Sequence, residues 1–435
     1  VKLASSVGGK WSESGGESSV FGMTPPQIMA VIDRLRECGM LDCLELLHYH
    51  LGSQVPNIRE IRDAIYEASR YYVSLVEEGA KMGILDIGGG LAIDYDGSKC
   101  NCPTSANYDI GEYAADVVEG VITVCNQAKV PHPTLISESG RALIGYYSVL
   151  LINVLSTHTL EVPDPPEPMP EPIPDPIRNL MEVATGLRTR NLREFYNDAI
   201  YYREEIQTAF KRGDLSLRQH AHADRLFWHI LTRIRAEIAH LRFVPEDMRN
   251  LKDAMADVFY CNFSVFQSLP DSWAIDQIFP IMPIQRLNEK PARLAVLSDI
   301  TCDCDGKINH FADMRDIRSA LPVHTVGPDE DYILAVFLVG AYQETLGDLH
   351  NLFGDTNVAS ILVDDDGEIE YEQELDGDTV GDVLSYVEYN PQGLLARFRE
   401  LAEVAVRQKR ISATERRDIL GAYESGLRGY TYFET

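Results

Sequence analysis

The first 145 residues alternate short apolar runs with longer segments that have helical spacing. Each apolar run is short enough for one strand and has few charged positions, which is typical of strands buried on both faces. Amphipathic spacing between the runs predicts covering helices, including one over 58–82 and one over 113–128. This alternation favours a parallel sheet, and the four runs predict half of an eight-stranded barrel. The runs lie at 1–5, 43–50, 84–87 and 134–137.

The pattern changes after residue 145. Residues 146–160 read as a strand, and 163–176 alternate proline with acidic residues, which predicts an extended spacer. Residues 177–266 have helical spacing throughout. Strand patterns return at 293, with Asp-Gly dipeptides at 305–306 and 366–367 that are typical of hairpin turns.

These segments predict three architectures in one chain: α/β, β and helical. Residues 1–145 form the C-terminal half of the barrel, and 377–435 form a helical C-terminal extension. A β domain covers 146–162 and 270–376. It is interrupted at 163–269 by the spacer and an inserted helical bundle.

The charge limits the partners. The chain has 39 basic and 67 acidic residues, a net charge of −28, which argues against nucleic acid or an anionic membrane as a partner. The eight cysteines are scattered, and two pairs have C-x-C rather than C-x-x-C spacing. This usage indicates free thiols in a reducing cytoplasm.

Three consecutive glycines end the apolar run in 84-ILDIGGGLAIDYDG-97. A dinucleotide-binding G-x-G-x-x-G pattern is not met, because Ile93 stands where the last glycine belongs. The ends of late barrel strands form phosphate sites through converging backbone N–H groups. A phosphate site and a plain tight turn both remain open for Gly88, Gly89 and Gly90.

The next strand runs into 137-SESGRALIG-145. Glu138 is suited to a cationic ring nitrogen, Arg141 to a bidentate phosphate contact, and Gly140 to a close backbone approach. The alternative is a Glu–Arg pair at the surface, which contributes little stability.

The strand before the glycines ends in 48-HYHLGSQ-54. His50 is a candidate to lie flat on a planar cofactor, with the Ser53 hydroxyl directed at a phosphate. A structural histidine is one alternative. A metal pair is another, because His48 and His50 alternate onto one face of the strand.

Residues 302-CDCDGKI-308 allow three interpretations. The first is a hairpin with exposed acids, and the second is a calcium loop, although the spaced oxygens of an EF-hand are missing. The third is a reactive thiol, Cys302, beside Asp303 or Asp305 as the carboxylate that holds a cationic substrate group.

Taken together, these motifs resemble the fold-type III pyridoxal-phosphate decarboxylases with an alanine-racemase-like barrel, and within them the arginine decarboxylases. The resemblance covers essentially the whole chain. The inserted helical bundle and the helical tail are features of the long arginine decarboxylases. The shared motifs, in the family's order, are HLGSQ, DIGGGLAIDYDG, ESGRA, 270-PDSWAIDQIFPIMPIQRLNE-289, CDCDG and GAYQE at 340–344.

The resemblance implies a role for each matching residue. Cys302 and Asp303 would enter the active site of a neighbouring subunit, where Cys302 would donate a proton and Asp303 would face the basic end of the substrate. Asp305 is a second candidate for the substrate guanidinium. Glu138 would pair with the protonated ring nitrogen of pyridoxal phosphate, and His50 would stack on the ring. The phosphate would be held by Ser53, Gly88, Gly89, Gly90, Gly140, Arg141 and Tyr342.

The resemblance also implies a reaction and partners. L-Arginine would lose CO2 to give agmatine for polyamine synthesis, in a cytoplasmic dimer with shared sites that assembles into a tetramer, and magnesium would be required at ligands we do not assign. Decarboxylases of diaminopimelate, ornithine or carboxynorspermidine and a non-catalytic regulatory homologue remain alternatives. A barrel glycosidase is disfavoured, because no second acid stands at an equivalent strand end.

One family residue has no counterpart. The Schiff-base lysine of the family lies on an early barrel strand, and none of Lys2, Lys10, Lys81 and Lys307 has that context. We therefore expect this lysine to precede Val1, and the 435 residues alone to be inactive.

Overall fold

The structure is a computed structural model. None of its described helices combines the length and the apolar character that crossing a membrane requires. It describes residues 1–5, 19–159, 169, 172–188, 191–238, 248, 251, 255–313, 317–328 and 330–434.

Three parallel strands form the centre of the N-terminal part: β1 (Leu46–His48), β2 (Ile84–Asp86) and β3 (Thr134–Ile136), in the order β1-β2-β3. The predicted strand at 1–5 is wrong, because this segment pairs with no strand. The N-terminal amine of Val1 instead donates to the carbonyl oxygen of His48 at 2.6 Å.

Helices cover this sheet as the spacing predicts. Helix α1 (Pro25–Glu37) begins after Thr24, which forms a capping box with Gln27. Helices α2 (Ile58–Glu77) and α3 (Ile110–Ala128) pack on each other, and their apolar stripes are buried against the sheet. Gly120 on α3 permits this packing, since a Cβ there would lie 2.8 Å from the side chain of Ile65. The short helix α4 (Gly140–Ile144) follows β3.

The chain then enters the second sheet through β4 (Val149–His158), leaves it, and returns through β5 (Asp257–Cys261). These strands are antiparallel, and His158 lies opposite Val258. Between them, helices α5 (Asp175–Gly186), α6 (Leu192–Arg212) and α7 (Leu217–Ile238) pack around an apolar core of their own.

The helical insert is therefore shorter than predicted. Residues 257–261 are a strand of the sheet, whereas the sequence placed them in the bundle and began the β domain again only at 270. Aromatic and β-branched residues dominate this strand, as strand propensity requires. Most of the predicted spacer, at 163–168 and 170–171, lies outside the described residues.

The rest of the β domain completes a seven-stranded sheet. Short helices α8 (Val265–Ser268) and α9 (Pro270–Ile275) follow β5. The later strands are β6 (Ile281–Pro283), β7 (Arg293–Ser298), β8 (Lys307–Ile308), β9 (Phe311–Ala312), β10 (Ile317–Arg318), β11 (Leu321–Val323) and β12 (Ile333–Phe337). The sheet order is β11-β7-β5-β4-β12-β6, with β8 on β7. The hairpin predicted at Asp305-Gly306 is confirmed by the antiparallel pairing of β7 with β8.

The C-terminal part begins with a hairpin of β13 (Val358–Val363) and β14 (Ile369–Leu375), whose turn is the predicted Asp366-Gly367. Three helices follow, within the segment for which the sequence predicts a helical extension. The chain end returns to the β domain, where Asn262 and Phe433 exchange hydrogen bonds of 2.7 and 3.1 Å. The helices are α10 (Val380–Tyr386), α11 (Pro391–Arg407) and α12 (Ala413–Arg428).

Candidate functional site

The carboxyl ends of the three parallel strands meet at one edge of the half-barrel. His50 follows β1, the three glycines follow β2, and Glu138 follows β3. The loops are joined by backbone hydrogen bonds, since Gly88 accepts from the Glu138 N–H at 2.8 Å and Gly90 accepts from the Val55 N–H at 3.0 Å. The structure thus brings together residues that the sequence placed at three separate strand ends.

The glycines are required by this convergence itself. Gly88 has φ +62°, and a Cβ there would lie 2.2 Å from the carbonyl oxygen of Tyr49. A Cβ on Gly89 would lie 2.9 Å from the carbonyl oxygen of Glu138 and 3.3 Å from the His50 ring. Close packing of loops therefore explains both glycines, and a phosphate site has to be argued from other residues.

His50 lies against the glycine turn. Its Nδ1 accepts the N–H of Gly89 at 3.3 Å, which places the proton of the neutral ring on Nε2. Partial burial lowers the pKa of His50, and the neighbouring His48 lowers it further, against an opposing effect of Glu138. The ring is therefore neutral at physiological pH and suited to lie flat on an aromatic ring.

Asp86 was not predicted as a site residue. It is buried at the end of β2. One carboxylate oxygen accepts the N–H of Gly88 at 2.9 Å, and the other contacts Nδ1 of His48 at the same distance. This carboxylate fixes the glycine turn to β1. An acid that ends an apolar run before glycines was the available signal.

The described residues include a group with metal-ligand geometry at this edge, and His50 is not part of it. Among the described residues, the group with metal-ligand geometry at this edge contains His48, Asp86 and Glu138, whose ligand atoms lie within 4.8 Å of one another. His48 and Asp86 already bond each other, and this bond explains their approach without an ion.

Arg141 lies on α4 with only 6% of its surface exposed. Its Nη1 donates to the Tyr95 hydroxyl at 2.9 Å, and its Nε is buried without a partner. Within the described part of the chain, no carboxylate lies within ion-pair distance of Arg141, so the surface-pair alternative is wrong. A buried guanidinium without an ion pair among the described residues is suited to bind an anion.

Tyr342 reaches the same arginine from the β domain, with its ring 4.8 Å from the Arg141 guanidinium carbon. It lies in the turn after β12, at φ +71°. The turn is docked on α4, since Gly340 donates to the Gly145 carbonyl at 3.2 Å. Tyr342 and Arg141, predicted from motifs 200 residues apart, therefore meet.

Two further predicted residues lie near this edge without a described contact that assigns a role. Ser53 is half-buried in the loop between β1 and α2. Gly140 is exposed at the start of α4, and a Cβ there would meet no atom within 4 Å. Neither packing nor φ requires a glycine at 140, in contrast to Gly88.

Cys302, Asp303 and Asp305 lie elsewhere, in the hairpin between β7 and β8. The exposed Cys302 contacts the side chain of Asn351, whose Nδ2 lies 3.4 Å from the thiol sulfur. The Asp303 carboxylate lies 3.5 Å from Nε2 of His350. In the described part of the chain, none of these contacts reaches the glycine turn.

The hairpin is held from inside by Asp299, which is buried. Its carboxylate accepts from the N–H of Val265 and from both donors of Thr301, at 2.7 to 2.9 Å. These hydrogen bonds hold the base of the hairpin, and its acidic residues Asp303 and Asp305 lie on the outer side. A cavity of about 240 Å³ lies beside Asp305 and is also lined by Trp273, Gln277 and Lys307.

Three family profiles match the chain. They are described as the pyridoxal binding domain of pyridoxal-dependent decarboxylases at 2–145, the arginine decarboxylase helical bundle domain at 170–252, and the arginine decarboxylase C-terminal helical extension at 380–433. The profile limits agree with the half-barrel, the bundle and the helical tail described above.

Whole proteins match as well. The biosynthetic arginine decarboxylase of Bacteroides thetaiotaomicron is 46% identical over 435 residues, which cover all of this chain and 69% of that protein. The namesake from Thermosynechococcus vestitus is also 46% identical, over 68% of its length. The crystal structure of the biosynthetic arginine decarboxylase of Campylobacter jejuni superposes with a TM-score of 0.83 at 31% identity, over 96% of this chain and 68% of the other.

Identity of this extent along the whole chain, with the same fold, confirms the resemblance to fold-type III decarboxylases. This chain belongs to the family of biosynthetic arginine decarboxylases.

Proposed function

We propose that this chain binds pyridoxal phosphate at the edge formed by the ends of β1, β2 and β3 and takes part in the decarboxylation of L-arginine to agmatine. The observation that carries the cofactor assignment is the buried Arg141 guanidinium, which has an unpartnered Nε and, among the described residues, no carboxylate within ion-pair distance. A phosphate supplies the missing negative charge and acceptors.

The surrounding residues fit the rest of the cofactor. Arg141 and Tyr342 hold the phosphate from two domains, and Ser53, Gly88–Gly90 and Gly140 line its approach. His50, neutral and held by Gly89, would stack on its ring, and Glu138 would stabilise the proton on its ring nitrogen. When bound, the cofactor supplies an electron sink for the electron pair that stays on the substrate's α carbon as CO2 leaves.

Cys302, Asp303 and Asp305 complete the site in a neighbouring subunit. Their hairpin is braced by Asp299 and directed outward, which suits a loop that reaches across an interface. Cys302 then delivers its thiol proton to the α carbon, and Asp303 or Asp305 pairs with the substrate guanidinium. Lys307 beside Asp305 opposes a cation there, so Asp303 is the preferred partner.

Arginine is favoured over the other amino acids because the bundle and tail profiles are those of arginine decarboxylases. We assign the product to polyamine synthesis in the cytoplasm. Magnesium is a further proposal from the family resemblance, without assigned ligands. In a chimaera that carries these 435 residues within a longer relative, dialysis against a chelator is expected to lower CO2 release from L-arginine, and addition of magnesium is expected to restore it.

Cofactor binding is tested by titrating the chain with pyridoxal phosphate and following its absorbance. Arg141→Met is expected to weaken binding at least about tenfold, since it removes a charge-assisted hydrogen bond. Arg34→Met, at an exposed arginine paired with Glu37, is the control and should bind as the parent does. Equal affinity of both variants contradicts the assignment of the phosphate to Arg141.

The reaction is tested in a chimaera in which these 435 residues replace their counterpart in the Bacteroides thetaiotaomicron relative. CO2 release is measured from L-arginine, ornithine, diaminopimelate and carboxynorspermidine. We expect arginine to be preferred, and a preference for a substrate without a guanidinium would reject arginine as the substrate. The 435 residues alone are expected to release no CO2 above background.

A further inference from the structure

The loop that follows the glycine turn brings two thiols together. The sulfur atoms of Cys100 and Cys102 lie 2.7 Å apart, and the structure has both as free thiols. Cys100 is exposed, whereas Cys102 is half-buried. One sulfur is therefore open to a reagent from solvent, and the other lies directly behind it.

The approach is fixed by the loop. The carboxylate of Asp96 accepts from the Thr104 hydroxyl at 2.6 Å and from the Cys102 thiol at 3.6 Å. The Cys100 N–H donates to the Ser105 hydroxyl at 3.2 Å, which in turn donates to Asp94 at 2.6 Å. These bonds pin both ends of the C-x-C segment and hold the thiols against each other.

The second C-x-C pair of the chain has the same spacing and a different geometry. The thiol of Cys302 contacts Asn351, and that of Cys304 lies 3.8 Å from a carboxylate oxygen of Asp305. No contact between these two sulfur atoms is present among the described residues. Spacing alone therefore does not bring the sulfurs together, and the fold around Cys100 does.

We propose that Cys100 and Cys102 are a redox site that forms a reversible disulfide with a small-molecule disulfide of the glutathione type. The Cys100 thiolate attacks one sulfur of the oxidant and releases the first small thiol. The Cys102 thiolate then attacks the Cys100 sulfur of the mixed disulfide and releases the second. Two protein thiols are oxidised, one small disulfide is reduced to two thiols, and the sulfurs close from 2.7 Å to about 2.05 Å.

The order of attack follows from the surroundings. Burial raises the pKa of Cys102, and its bond with Cys100 raises it further, so this thiol is the weaker first nucleophile. Once Cys100 is in the mixed disulfide, Cys102 needs to move by less than one bond length. Reversible disulfides of this kind are compatible with a reducing compartment, where they act in redox sensing.

The loop is linked to the proposed cofactor site. The Tyr95 N–H donates to the carbonyl oxygen of Thr104 at 2.9 Å, and the Tyr95 hydroxyl accepts from Arg141. Closing the disulfide between these two anchor points restrains the loop that carries the partner of the phosphate-binding arginine.

The test equilibrates the folded chain with glutathione buffers of rising oxidised fraction, traps free thiols with an alkylating reagent and maps the tryptic peptides. Cys100 and Cys102 are expected to oxidise at a glutathione ratio at least about tenfold more reducing than Cys302 and Cys304. Both C-x-C pairs would close disulfide rings of the same size. In concentrated urea, where the fold is lost, the two pairs should therefore oxidise at the same glutathione ratio. Equal oxidation of both pairs in the folded chain overturns the proposal.

Two variants separate the steps. In Cys102→Ser, glutathione is expected to stay attached to Cys100, because the second attack is lost. Cys304→Ser removes the matching thiol of the other pair and should leave the Cys100–Cys102 disulfide unchanged. A parent chain that accumulates the Cys100 glutathione adduct, with Cys102 still alkylatable, also overturns the proposal.

Discussion

In the described part of the half-barrel, the buried cation Arg141 favours a binding site over a plain junction of loops. Gly88 and Gly89 are explained by packing, so the fold requires them even without a ligand. Arg141 is not explained by packing, because a buried charge without an ionic partner is costly. Arg141 and Gly140 are therefore the residues that indicate the chemistry of the site, because the packing of the fold does not require either of them.

Gly140→Ala separates the two roles of glycine. The added Cβ meets no atom within 4 Å, and alanine is the better helix former, so unfolding stability should change by less than about 0.5 kcal/mol. The methyl group occupies the proposed approach of the phosphate, and affinity for pyridoxal phosphate should fall at least about threefold. Urea unfolding and cofactor titration measure the two effects.

Gly421→Ala is the matched control for this change. Its Cβ is equally unobstructed, and its helix is α12, in the C-terminal extension. It should raise unfolding stability by about 0.5 to 1 kcal/mol, because alanine replaces glycine in a helix interior, and it should leave the affinity for pyridoxal phosphate unchanged. A Gly140→Ala variant that binds pyridoxal phosphate like the parent would exclude close phosphate contact at this residue.

His50 predicts a dependence of stability on pH. Its pKa is lowered in the folded chain, so the unfolded chain takes up a proton that the folded one does not. Its contribution is fully present above the unfolded value of 6.5 and is lost as pH falls through the folded pKa. The midpoint of urea unfolding should fall from pH 7.5 to pH 5.5, and this fall should be smaller for His50→Gln than for the parent.

The control for this measurement is His132→Gln, which replaces an exposed histidine bonded to Asn126 and should keep the pH dependence of the parent. A His50→Gln variant with the same pH dependence as the parent would show that this ring does not titrate differently on unfolding.

At the residue scale, the sequence predicted the strand-end residues well, because parallel strands must end at one edge. Glu138, Arg141 and His50 follow strands whose apolar runs are unmistakable. Tyr95 was missed because it lies in an irregular loop and because its contribution is to accept a hydrogen bond from Arg141. Nothing along the chain indicates that a hydroxyl 46 residues away accepts the guanidinium bond.

At the scale of elements, the loop from Asp94 to Ser105 supports the proposed site through Arg141. Tyr95 is buried, with its ring edge-on to Phe279 at 5.6 Å and its hydroxyl on Arg141. The loop thus anchors α4 to the β domain side of the molecule.

Tyr95→Phe removes the hydroxyl and keeps the ring. The aromatic packing should survive, while Arg141 loses its described partner, and affinity for pyridoxal phosphate should fall about two- to tenfold. Tyr332→Phe, at a buried tyrosine bonded to His324 in the β domain, is the control. Loss of affinity in both variants would point to general destabilisation instead of positioning.

Elements were predicted best where the pattern is local. The hairpins at Asp305-Gly306 and Asp366-Gly367 follow from turn residues, and the capped helices follow from spacing. Strand β5 was missed because it follows helices directly and pairs with β4, about 100 residues earlier, and with β7. Partners that distant leave no periodic signal in the strand itself.

At the scale of the whole molecule, the helical insert is attached like a long hairpin loop. His158 and Val258 lie opposite each other, and helices α5 to α7 have their own core. Removal of the insert therefore leaves the sheet pairing intact. We propose that the bundle serves assembly of dimers into a tetramer.

A variant in which a four-residue turn replaces residues 160–256 tests this role. It keeps Asp257, which forms a bidentate ion pair with Arg293. The sheet should fold, and light scattering is expected to report a dimer for the variant and a tetramer for the parent chain. An unchanged particle mass would remove the bundle from the assembly.

The docking of the Tyr342 turn on α4 has a mechanical consequence. Arg141 belongs to the half-barrel and Tyr342 to the β domain. An anion bound between these two side chains therefore links the two domains. Its binding energy then opposes separation of the domains by RT ln(1 + [L]/Kd). Proteolysis of the connection between the half-barrel and the β domain should slow in proportion to cofactor saturation. The cofactor would then stabilise the arrangement of the domains in addition to its role in the reaction.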